Sequence, residues 1–219
     1  MDINSKRFRI NLAVLFYIFL FLVRILDNDI FGNWENAHIS QGLFGSWIWV
    51  AIKFSYWCIP ILVYLLLKNN LVKFIKDRFA FKIRPAYSLL FIPLWFIVLL
   101  AEAHFRIPKA SSTYFYIVNG VVTTPFIEEF VFRGFILSKL LEKYSFLRAN
   151  LYQSLLFACI HLPYYYELGK FKNFPLLLGN LIHYLIYLGF FAYVSGYLAK
   201  STKSLYPSIV LHAINNLLA

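Results

Sequence analysis

Residues Phe126-Ile-Glu-Glu-Phe-Val-Phe-Arg-Gly-Phe-Ile-Leu137 set two adjacent carboxylates and an arginine inside an otherwise apolar run. A run of this kind reads as a membrane helix. An ionisable group there costs about 2.5–3.5 kcal/mol on insertion scales, so each one marks a functional-site hypothesis. Glu129 and Arg133 stand one turn apart and are expected to pair. Glu128 lies about 100° further round the helix and must face something else. Two more polar clusters sit in apolar surroundings: Phe157-Ala-Cys-Ile-His161 and His212-Ala-Ile-Asn-Asn216. His212 and Asn216 are four residues apart and share a helix face. Counted from the flanking basic residues Lys139, Arg148 and Lys203, the positions Glu128, His161 and His212 all lie nine to thirteen residues in. At the helical rise these depths are roughly 14–20 Å, a common layer.

A carboxylate, two imidazoles and an amide gathered in a low-dielectric cavity suit hydrolysis. Cleaving an amide needs an activated water and a donor for the tetrahedral oxyanion. Glu128 is the candidate to take the proton from water. His161 could hold the same water or help ligate a metal that polarises it. His212 and Asn216 are candidate oxyanion donors. Glu128, His161 and His212 equally have the ligand chemistry of a catalytic zinc site with an open position. The H-E-x-x-H pattern of a soluble zinc-protease helix is absent. Metal-activated and metal-free water both remain open on these residues.

These residues need helices to carry them, and the composition supplies them. Of 219 residues, 61% are hydrophobic and 14% charged, with a mean hydropathy of +0.66. Soluble domains carry about 25% charge, so the chain reads as an all-α, polytopic membrane helical bundle. Seven apolar spans are expected, at about 10–26, 43–67, 87–105, 114–137, 149–163, 174–198 and 204–219. The count becomes eight if the sixth, which carries Gly179, Gly189 and Gly196, breaks in two. No repeat or linker divides the chain, so one transmembrane domain over 1–219 is expected, with its motif-bearing core at about 85–219. The net charge of +11 does not point to nucleic acid, because the basic residues cluster between the spans. Lys6, Arg7 and Arg9, then Lys68 to Arg84, then Lys139, Lys143 and Arg148, then Lys200 and Lys203 mark alternate loops as cytoplasmic. A multi-pass protein of the cell membrane with a cytoplasmic N-terminus follows, its first span a retained signal anchor. Cys58 and Cys159 lie in apolar runs and read as small packed residues.

In order along the chain, Glu128-Glu129-x-x-x-Arg133, Phe157-x-x-x-His161 and His212-x-x-x-Asn216 resemble the three motifs of the CAAX-processing and bacteriocin-processing family. These are intramembrane glutamate-dependent proteases, also called the Abi or self-immunity family. The resemblance covers about 85–219 and leaves the first two spans without a motif. It implies Glu128 as the water-activating base, supported and oriented by Glu129 and Arg133. It implies that His161 acts on the same water and that His212 and Asn216 form the oxyanion site. Eukaryotic members cleave the last three residues from prenylated CAAX proteins. Bacterial members are linked to peptide processing, bacteriocin self-immunity and regulation of secreted peptides. The short chain, with no eukaryotic targeting feature, fits a bacterial member. The implied partners are the lipid bilayer and a peptide or lipidated-protein substrate.

Other readings compete. The two glutamates could be structural, paired with Arg133 and the hydroxyls of Thr123 or Thr124, although one guanidinium cannot satisfy two carboxylates. Asn215 or Asn216 could be helix–helix glue. His183 reads as packing, and Glu102 and His104 as interfacial. At the level of function, the alternatives are a catalytically silent bacteriocin-immunity or scaffold protein, and a transporter with a proton relay.

Overall fold

A computed structural model describes residues 13–26, 43–79, 116–167 and 174–218, and among these every regular element is helical. The expected third span, with Glu102 and His104, lies outside the described residues. So do the basic N-terminus and residues 80–84 of the second basic loop.

The helices are α1, Ala13–Leu26; α2, Leu43–Trp57; α3, Ile59–Leu67; and α4, Leu71–Arg78. A long helical run, α5, covers residues 116–141. After it come α6, Phe146–Ile160; α7, Leu162–Glu167; α8, Phe174–Thr202; and α9, Tyr206–Leu218. Among the described residues, one helix is by itself long and apolar enough to cross a bilayer, over Leu178–Thr202. The pair Trp47–Trp57 and Ile59–Leu67 also qualifies if taken as one broken span.

Local chemistry explains the breaks. α2 and α3 meet at Cys58 with a bend of 43°. Pro60 lies in the first turn of α3, where it has no N–H to give the carbonyl of Tyr56, and the ring pushes the helix aside. α3 ends with Asn69 in the left-handed region (φ 53°). Asn69 and Asn70 return their N–H groups to Leu66 O and Leu65 O, both at 2.9 Å, which closes the last turn. Lys203, also left-handed (φ 54°), turns the chain from α8 into α9. The sixth expected span does not break: α8 runs unbroken for 29 residues.

The described residues pack as two compact units. One draws on Met1–Gly32 and Phe135–Tyr197, the other on Asn33–Gly134 and Leu198–Ala219.

In the first unit α1, α6 and α8 share a core of Leu20, Phe157, Ala158 and Ala192. Tyr17 donates its hydroxyl to Leu156 O at 3.0 Å. α6 and α8 are also tied by buried amides. Gln153 Nε2 donates to Ala192 O (3.1 Å) and to Asn150 Oδ1 (3.0 Å), and Asn150 Nδ2 donates to Tyr193 O (2.9 Å). Away from water, such side chains find partners on the neighbouring helix. Gly196 makes this approach possible, because a Cβ there would collide with Asn150 Oδ1 and come within 3.1 Å of Gln153 Nε2. Gly196→Ala is therefore expected to cost about 1–3 kcal/mol through overpacking. The check is a lowered melting temperature of the purified protein; an unchanged melt would mean that α6 can yield. Cys58 and Cys159 are free thiols, in line with their reading as packed residues.

In the second unit the core is Trp57, Cys58, Ile61, Val121, Ile127, Val131, Phe132, Leu205 and Ala213. Aromatic rings add to it. Phe79 stacks on Phe126 at 5.6 Å, and Phe74 meets Phe130 edge-on at 5.6 Å. Leu205 N–H donates to Arg78 O at 2.9 Å and seats the start of α9.

Candidate active site

The site in the second unit is built on α5, which is not a uniform helix. Tyr116–Thr123 and Phe130–Ile136 are π-helical, and the α-helical turn and a half between them, Thr124–Glu129, carries both glutamates. π segments are uncommon and recur at functional sites, since each re-aims the side chains that follow. Two features favour the first one. Thr123 Oγ1 donates to Val118 O, five residues back, at 2.6 Å. Pro125 has no N–H for the carbonyl of Gly120, its own partner in the five-residue register. That carbonyl instead accepts from Asn216 Nδ2 at 2.8 Å. The proline three residues before Glu128 thus presents the acceptor that moors the last helix.

Glu129 and Arg133 pair as expected, Oε1 to Nη1 at 2.9 Å, both side chains fully buried. The same Oε1 lies 2.9 Å from His212 Nδ1. A carboxylate held by a guanidinium can only accept, so Nδ1 carries the hydrogen. Glu129 thereby orients His212, and its contact is with the imidazole. His212 Nε2 is left facing Glu128, 3.8 Å from Oε2 and too far for a direct hydrogen bond. Of the three positions that the sequence puts in one layer, Glu128 and His212 come from α5 and α9 and lie side by side. Asn216, one turn beyond His212, is fastened to Gly120. α9 is only 13 residues long, and these two contacts hold it in place.

Glu128 faces a residue that the sequence reading did not single out. Lys53, from the middle of α2, is 8% exposed. Its Nζ lies 3.3 Å from Glu128 Oε1 and donates to Thr124 Oγ1 at 2.9 Å. The ammonium sits over the Trp57 ring, 5.5 Å from its centroid. The second acid thus has its own base, and the buried set balances: Glu128 with Lys53, Glu129 with Arg133. The signal was there to use. Lys53 is the only charged residue between Leu43 and Leu67, and the rule that singled out Glu128 applies to it equally.

His161 belongs to the first unit and is described there. It caps the C-terminus of α6, half-buried. Its Nδ1 lies 2.8 Å from Phe157 O, and its ring packs on that of Phe157 with centroids 4.7 Å apart. A carbonyl only accepts, so Nδ1 donates and the neutral ring keeps its lone pair on Nε2. The Phe157-x-x-x-His161 spacing thus fixes a tautomer as well as a position. His183 lies away from these contacts, exposed and parallel to the Tyr187 ring at 6.3 Å.

The zinc alternative can be tested on the donor set. Among the described residues no three His, Cys, Asp or Glu side chains stand together so as to hold a metal ion. Of the candidate ligands Glu128, His161 and His212, Glu128 already faces an ammonium, which competes with a dication for the same oxygen. Lys53 Nζ, 3.3 Å from Glu128 Oε1, is the cation that a zinc ion would have to displace there.

A family profile described as type II CAAX prenyl endopeptidase Rce1-like matches residues 110–218. That range includes all seven motif residues, from Glu128 to Asn216, and begins after Lys53. Searches of the curated proteins and of the solved structures gave no match. Through residues 110–218 the chain belongs to the Rce1-like family of CAAX prenyl endopeptidases, which are membrane-embedded proteases.

Proposed function

We propose that this protein is an intramembrane endopeptidase that hydrolyses a peptide or lipidated protein near the cytoplasmic face, with Glu128 taking the proton from the attacking water. The observation that carries the reading is the pairing of Glu128 with an oriented imidazole, His212, across two helices. Glu128 Oε2 and His212 Nε2 stand 3.8 Å apart, so a water beside both would be within hydrogen-bond reach of each. As the water attacks, its proton passes to Glu128 and its oxygen bonds to the scissile carbonyl carbon. Negative charge then develops on the carbonyl oxygen; His212 can stabilise it as an imidazolium, with Nε2 protonated, and Asn216 with the amide hydrogen not given to Gly120. As the tetrahedral intermediate collapses, the carbonyl re-forms, the C–N bond breaks, and the proton held by Glu128 passes to the leaving amine. The resemblance implies that His161 takes part as well, and the His161→Ala variant tests that role.

The membrane setting is part of the proposal. The chain crosses the bilayer several times with its N-terminus in the cytoplasm, by the basic-loop pattern. Large apolar side chains such as Leu15, Leu67, Ile186 and Phe190 stand outside the core, where lipid would cover them. The test uses purified protein in lipid vesicles with a prenylated peptide. Wild type should release a C-terminal fragment, and Glu128→Ala and His161→Ala should each abolish release while remaining inserted and folded. Full activity in both variants would end the assignment of the chemistry to Glu128 and His161, and no release by wild type would end the protease reading.

A second reading, a catalytically silent immunity or scaffold protein, draws on one observation. A balanced buried set of two acids and two bases is also what a purely structural cluster would show. Protection of cells against a bacteriocin that survives Glu128→Ala would favour it.

A further inference from the structure

We propose that Lys53 is a positioning residue for Glu128: its ammonium fixes one carboxylate oxygen so that the other is presented beside His212. The proposal rests on the reading of Glu128 as the base.

The geometry carries it. Lys53 Nζ is held from three sides, by Thr124 Oγ1 at 2.9 Å, by Glu128 Oε1 at 3.3 Å and by the face of Trp57 at 5.5 Å. Trp57 is itself 2% exposed. A lysine is a flexible point charge, and here the hydroxyl and the ring take up its freedom. Thr124 lies one turn before Glu128 on the same face of α5, so the ammonium bridges two positions of the helix that bears the acid. With Oε1 engaged, Oε2 is the oxygen left on the His212 side, 3.8 Å from Nε2. The other charged or polar groups round Glu128 do different work. Arg133 is committed to Glu129, which is bonded to His212. Asn119, buried in the π segment, lies 3.5 Å from the Thr124 hydroxyl. Lys53 is thus the cation placed to set the angle of the Glu128 carboxylate.

Lys53 also lies outside residues 110–218, on a helix that carries none of the three motifs. The N-terminal part of the chain would thereby supply a group on which the motif-bearing part depends.

The experiment compares Lys53→Met and Lys53→Arg with wild type on the prenylated peptide in vesicles, with Glu128→Gln run beside them. Misplacing a catalytic group by about 1 Å can cost 10²-fold, so Lys53→Met should lower kcat by about 10- to 100-fold with KM within about twofold. Lys53→Arg, which keeps the charge, should recover most of that loss. A structural role alone would not give this split with rescue. Removing Lys53 also leaves a buried carboxylate without its cation, so Lys53→Met should melt lower, and adding Glu128→Gln should restore part of the loss. If Lys53→Met does not accumulate, Lys53→Arg and the double variant decide. An Arg variant as slow as Glu128→Gln, or a double variant no more stable than Lys53→Met, overturns the proposal. A raised KM with kcat unchanged would make Lys53 a substrate contact and overturns it too. If Glu128→Gln is inactive and Lys53→Met keeps the wild-type kcat, only this inference falls. If Glu128→Gln cleaves normally, the reading beneath it falls first.

Discussion

Arg133→Met is expected to destabilise the protein by about 3–5 kcal/mol, the usual cost of removing one partner from a fully buried ion pair. Neither Arg133 nor Glu129 has any exposed side-chain surface. The methionine would fill much of the volume but leave the Glu129 carboxylate with only His212 as a polar neighbour at 2.9 Å. By the scaling for domains of this size, the melting temperature should fall by roughly 10 °C or more. The measurement is tryptophan fluorescence of protein in detergent during heating. Arg133→Met with Glu129→Gln should be more stable than Arg133→Met alone, because the stranded charge is gone. A melt within about 2 °C of wild type would show that the pair holds nothing together. His212 should also lose its fixed orientation, so any Arg133→Met protein that survives should cleave poorly even below its melting temperature.

The largest effect on activity is expected from Glu128→Gln, a loss of about 10²- to 10⁴-fold in kcat, the range for removing a general base. The substitution is chosen for what it preserves. The amide has the carboxylate's shape, and its oxygen can still accept from Lys53 Nζ, now 3.3 Å from Oε1. Thr124 still accepts from the same ammonium at 2.9 Å. What disappears is the capacity to take a proton from water, so kcat should drop while KM stays within about twofold. The readout is single-turnover release of the C-terminal fragment from the prenylated peptide. A kcat within about fivefold of wild type would show that the proton goes elsewhere. A collapse of KM alone would make Glu128 a binding group.

Much of this arrangement could be read from the residues alone. Charge inside apolar runs pointed to Glu128, Glu129 and Arg133. Helical spacing gave the Glu129–Arg133 pair, and depth along separate runs put His212 level with Glu128. One contact was not legible. The contact of Glu129 with His212 spans 83 residues, and no local pattern encodes it. Lys53 was passed over because attention followed the motifs, and its run has none. The π segments escaped for a different reason. Helical periodicity counts residues per turn and does not register an extra one, although Pro125 and Thr123 would have been the places to look. The break of the second apolar run was written in Pro60, while the glycines of the sixth suggested a break that does not occur. Of these, Gly196 serves packing against Asn150.

The mooring of α9 bears on when the enzyme becomes dangerous to its own cell. Glu129 and Gly120 are synthesised early, but the imidazole and the amide that bind them arrive 83 and 96 residues later along the chain. A ribosome-bound or prematurely terminated product that stops before Tyr206 has the acid and its ammonium but no oriented histidine opposite. On the proposed function, half-made copies would lack a complete site, and hydrolytic competence would arrive only when α9 docks.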